Sequence, residues 1–87
     1  MGKRNKKEII ADIYNDQELL VADGFDDAII GVDEISYRVV YSVKKCIKIL
    51  VGKFGIDDED EAMEYFEFNV SGAYMGEKTP IWCYDIF

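Results

Sequence analysis

Histidine is absent from the 87 residues, and proline and tryptophan occur once each. The missing imidazole removes the side chain that titrates nearest neutral pH. Ser-His and Cys-His nucleophilic sites are therefore excluded, as are histidine-held metal centres. Cysteine is scarce too: Cys46 and Cys83 form no C-x-x-C pair, and two separated thiols do not complete a zinc site. Both are read as reduced, buried apolar residues. There is no G-x-x-x-x-G-K-[ST] loop and no G-x-G-x-x-G after a strand. No apolar run approaches the roughly 20 residues of a membrane span, and the basic MGKRNKK start leads into a segment containing acids rather than a signal-peptide core. A soluble chain in the cytoplasm of its host cell is the expectation, non-enzymatic, with no cofactor and no membrane partner.

What is present is apolar and acidic. Hydrophobic residues make up 49% of the chain and aromatics 14%, enough for a packed core and too much for disorder. At this length there is material for one centre only, so residues 1–87 are expected as a single domain, with 1–7 a flexible basic tail. The net charge of −8 is arranged in blocks. Residues 9–34 carry eight acids and no base, 35–53 carry Arg38, Lys44, Lys45, Lys48 and Lys53 and no acid, and 57–67 carry seven acids and no base. Such a surface repels phosphate backbones, so direct duplex DNA binding is not expected and a protein is the expected partner.

Along the chain, Ile9, Ile10, Ile13 and Tyr14 form one stripe of a short helix over 6–15. The runs 28–32 and 37–41 are β-branched and aromatic, and Asp33-Glu-Ile-Ser36 between them predicts a hairpin. Ser42 is placed to cap a helix with the stripe Val43, Cys46, Ile47, Leu50 and Phe54, which Gly55 closes and Ile56 folds back upon. Asp58 and Glu61 make a D-x-x-E start for a further helix whose inward stripe includes Ala62, Phe66 or Tyr65, Asn69 and Val70. Residues 81–87 read as a third strand, buried on both sides. The order α-β-β-α-α-β predicts an α+β fold, a small three-stranded antiparallel sheet with two or three helices packed on it.

Two stretches stand out as candidate sites. The acids Asp57, Asp58, Glu59, Asp60 and Glu61 suit a helix start, where the dipole favours negative charge, and equally suit a basic partner. They lack the alternating spacing and the glycine of a calcium loop, so no metal is assigned to them. In NVSGAYMGEKTP, residues 69–80, Tyr74, Glu77 and Lys78 are expected to project together as an aromatic anchor beside charges. Asn69, Gly72, Tyr74, Gly76 and Thr79 are the alternative, a loop that holds a small ligand or nucleotide. On that reading Asn69 lies on the buried side of its helix, and the glycines adopt backbone conformations that other residues avoid.

The runs GFDDAIIGV, VVYSVKKCIKIL and EAMEYFEFNVSGAYMGEKTPIW resemble a group of small proteins encoded by phages and other mobile elements. The shared pattern ends in E-Y-F-x-[FY]-N-V-x-G-A-[YW]-x-G-x-x-T-P and covers about residues 24–82. It falls on Gly24, Phe25, Gly31, Val32, Tyr41, Cys46, Tyr65, Asn69, Gly72, Tyr74, Gly76, Thr79 and Pro80; the connection after Val32 is shorter than in other members. The resemblance implies an origin and carries no activity. Together with the charge blocks it sets the expectation of an acidic interaction protein. Such a protein would bind and inhibit or otherwise modulate a host protein, for example a nucleic-acid-handling defence complex whose DNA it mimics.

Overall fold

The computed structural model describes residues 5–73 and 76–86. Helix α1 (Lys6–Ile13) starts where the Asn5 side chain accepts the Glu8 amide, and it ends as the Tyr14 amide bonds to the Ile10 carbonyl. Only Ile10 of the expected stripe is buried; Ile9 and Ile13 are 41% and 66% exposed. A helix this short turns one position inward and leaves its neighbours on the rim.

Strand β1 (Ile29–Val32) pairs antiparallel with β2 (Val39–Ser42), placing Ile29 opposite Tyr41 and Val32 opposite Val39, with a bulge between Ile29 and Gly31. The hairpin loop is longer than the sequence pattern predicts. Asp33 accepts both the Ser36 amide and the Ser36 hydroxyl, and Tyr37 takes a positive φ of 54° to turn the chain into β2, so Tyr37 and Arg38 belong to the loop.

Helix α2 (Val43–Gly52) follows β2 without a gap. Ser42 Oγ accepts the Lys45 amide as expected of its cap. Val43, Cys46, Ile47 and Leu50 are buried, while Phe54 is 47% exposed and stacks on Phe25 with ring centroids 5.6 Å apart. Gly55 adopts φ 71°, a conformation open mainly to glycine, and lets the Ile56 amide return to the Leu50 carbonyl. Helix α3 (Glu59–Phe66) starts with Asp58 accepting the Glu61 amide and runs into a π-helical turn over Glu67–Ser71.

Strand β3 (Ile81–Cys83) pairs with β2 in parallel, Val40 opposite Ile81 and Ser42 opposite Cys83, giving the sheet order β1-β2-β3. The α+β class and the three helices agree with expectation, and the sheet is mixed rather than wholly antiparallel. The reason lies in the connection. A parallel neighbour needs a long crossover, and α2 and α3 together supply one between β2 and β3. The third strand is also shorter than 81–87: its residues are half-buried, and Tyr84 and Ile86 beyond it are 64% and 70% exposed.

The core lies between the sheet and the helices. Val39, Tyr41, Cys46 and Leu50 are fully enclosed, and Trp82 packs its ring 5.0 Å from Tyr41 and edge-on to Phe66. The Tyr41 hydroxyl accepts the Ala22 amide at 2.7 Å, which ties the irregular segment after α1 to the centre. Burial pushes that phenol up to about 12. Among the described residues the Trp82 indole N–H is buried without an acceptor. No helix among them is long and apolar enough to cross a membrane.

Candidate functional site

The five acids at the start of α3 all stand exposed. Asp58 is committed to its cap. Glu59 and Asp60 reach the wall of a groove of about 370 Å³ between α2, α3 and the segment after β3. Val43, Ile47 and Met63 give this groove an apolar floor, Lys44 and Lys48 face the acids, and Tyr84 stands at its edge. The acidic block is therefore not an isolated field, because two lysines of the basic helix share the groove with it. Among the described residues no group of three carboxylate, thiol or imidazole side chains converges as a metal site.

The second candidate stretch is arranged differently from its expectation. Tyr74 lies outside the described residues. Glu77 is exposed, but Lys78 does not project beside it. The Lys78 ammonium donates to the Ser36 carbonyl at 2.8 Å and sits 5.6 Å from the centre of the Tyr37 ring. Lys78 thus pins residues 76–80 to the hairpin loop. Arg38 adds a bond from Nε to the Thr79 carbonyl at 2.6 Å. The same end holds Tyr14, whose ring meets Tyr37 edge-on at 5.9 Å and whose hydroxyl donates to Glu34. That bond, which favours the protonated phenol, raises the pKa of Tyr14.

The alternative ligand loop spends its polar groups on itself. Asn69 is exposed rather than buried, and its amide donates back to the Tyr65 carbonyl at 3.2 Å, one turn earlier. Asn69 lies in the π-helical turn that follows α3, and the wider turn carries it off the inward stripe that α3 would continue. Gly72 has a backbone role: a Cβ there would sit 2.7 Å from the Glu67 carbonyl. The Thr79 hydroxyl donates to the Gly76 carbonyl at 2.6 Å, closing the turn before buried Pro80. Neither of two surface grooves of about 370 Å³ is lined by Asn69, Gly72, Gly76 or Thr79.

The sequence reading missed one polar cluster. Ser42 is fully buried and donates to the Asp85 carboxylate, with oxygens at 2.7 and 2.8 Å, while still capping α2. These bonds stabilise the carboxylate and hold the Asp85 pKa below its usual range. The available signal was an aspartate inside an otherwise apolar C-terminal run, CYDIF. Cys46, in the first turn of α2, is enclosed near Asp85, and burial pushes its thiol up to about 12. Both cysteines are free, Cys83 being half-buried.

No family model matches the chain, and no curated protein or solved structure is significantly similar to it.

Proposed function

We propose that this chain is a non-enzymatic interaction protein of phage or mobile-element origin. Its acidic α3 start engages a basic surface on a host protein and so modulates or inhibits it. One observation carries the reading: Glu59 and Asp60 form the rim of a groove with an apolar floor, and exposed Tyr84 stands beside them. An apolar centre, an aromatic at its edge and a charged rim are the parts of a protein interface. Asp57 and Glu61 extend the acidic side of the rim past the groove, away from Lys44 and Lys48 in its wall, and neither side chain is engaged in a hydrogen bond or ion pair among the described residues. The phage origin is supported by the sequence motif alone.

A nucleic-acid-handling defence protein fits the partner class by charge. Its basic groove would accept exposed carboxylates in place of phosphates, and long-range attraction would speed encounter. The test is capture from host lysate with three baits: the natural chain, the variant D57N/E59Q/D60N/E61Q, which keeps the Asp58 cap, and Tyr84→Ala. The reading requires a basic protein that the natural bait retains, that salt elutes, and that the variant and Tyr84→Ala both lose. Equal recovery by all three baits would remove it.

A further inference from the structure

On another face, α1, β1 and the first turn of α2 line a second groove of about 370 Å³, whose charged groups are of one sign. Its walls are Ile9 and Ile10 from α1 and Ile29 and Ile30 from β1, and its polar groups are the ammonium ions of Lys6 and Lys45. Among the described residues no carboxylate lines it. A Cβ placed on Gly31, which completes the wall, would meet nothing within 4 Å, so the space along the strand is open. Ile9 and Ile30 are 41% and 46% exposed there.

Lysine stems often lie along apolar surface while their heads reach into water, and that habit explains a single lysine in such a place. It does not explain two heads converging, because free heads of like charge separate. Lys6 is held in position by its bond to the Asp27 carbonyl at 2.9 Å, and Lys45 lies near enough to act on it directly. Partial burial and, after it, the Lys45 charge lower the Lys6 pKa. The Asp27 charge opposes these effects but is the smallest of them, and Asp27 is not part of the groove wall, so the two ammonium heads share the groove with no carboxylate among the described residues that line it. The paired lysine heads and the uncovered isoleucines occur in one place.

We infer that this groove is a binding site for a small amphiphilic anion, an aliphatic body bearing one carboxylate or phosphate head, with the head between Lys6 and Lys45 and the body along Ile9 and Ile30. The volume lies at the small end of ligand pockets, which suits a short chain better than a polycyclic body. Charge-assisted bonds from two ammonium groups fix the head, and burial of the isoleucine faces supplies the apolar part.

Titration of the full chain with octanoate and with octyl phosphate, followed by amide NMR, tests this and separates the two head groups. The site requires saturable shifts at Ile30, Gly31 and the first turns of α1 and α2 with at least one of them. Lys6→Gln and Lys45→Gln should each weaken binding about tenfold. Ile30→Glu, at an exposed position, should abolish it without loss of the folded spectrum. Octanol and octyltrimethylammonium, which share the body and lack the anionic head, should bind at least about tenfold more weakly. The inference fails if neither anion gives saturable shifts at millimolar concentration, or if octanol binds as well as octanoate. It also fails if inorganic phosphate alone binds as tightly as octyl phosphate, or if only an extended peptide of alternating Glu and Val occupies the groove.

Discussion

The starts of α2 and α3 follow one local rule and end in opposite environments. Each is capped by a side-chain oxygen that accepts an amide three residues on, Ser42 for Lys45 and Asp58 for Glu61. Ser42 is fully buried and covered by Asp85, whereas Asp58 and its four acidic neighbours are exposed. The cap is equally readable in both; what differs is what lies over it. At α2 the chain's own C-terminal segment supplies the carboxylate that a helix N-terminus attracts. At α3 the acids belong to the helix itself and face outward, where a partner can reach them.

Removing the buried cap should have the largest effect. Ser42→Ala loses the α2 cap and withdraws the hydroxyl from Asp85, and should lower the unfolding free energy by about 2 kcal/mol, read by urea denaturation. For a domain of this size that corresponds to a melting temperature lower by roughly 10 °C. Asp58→Ala removes an exposed cap and should cost about 1 kcal/mol, with Asp58→Asn close to neutral. Equal losses at the two positions would erase the contrast.

A pH series sharpens it further. The folded pKa of Asp85 is depressed, so its contribution is fully present above the unfolded value of about 4 and is lost as pH falls through the lower folded value. The natural chain should therefore lose stability below about pH 4 more steeply than Asp85→Asn, measured by thermal melts across that range. Matching slopes would mean that Ser42 does not hold the carboxylate. The smallest effect is a kinetic one. With its thiol raised to about 12, Cys46 should resist iodoacetamide in the folded chain and react once urea opens it, as read by mass spectrometry.

Much of the fold was legible because local signals and packing agreed. The Ser42 cap, the stripe from Val43 to Leu50, the Gly55 to Ile56 closure and the Asp58 cap all depend on residues a few positions apart. What escaped depends on distant residues. The parallel direction of β3 follows from how a two-helix crossover returns to the sheet, which no window of sequence contains. Phe54 fits the α2 stripe by spacing but lies past the helix end, where it stacks on Phe25 and stays half in solvent. Asn69 fits the α3 stripe until the π-helical turn shifts it outward.

The candidate site was half legible. The acids at 57–61 stand exposed as a block, as their spacing suggests, but the described aromatic beside them is Tyr84, brought there by the chain after β3. Lys78, expected at the interface, instead holds two loops together through Ser36 and Tyr37. The lysine groove was invisible because Lys6 and Lys45 meet only once α1 and α2 have packed around β1.

Carboxyl footprinting with a carbodiimide, run on the free chain and on the chain bound to its captured partner, reaches the central claim most directly. The expected result is strong protection of Asp57, Glu59, Asp60 and Glu61 in the complex, with Glu77 labelled equally in both. Unchanged labelling of those four acids, with protection moved to Glu77 or Glu34, would place the interface on the hairpin end and contradict the assignment.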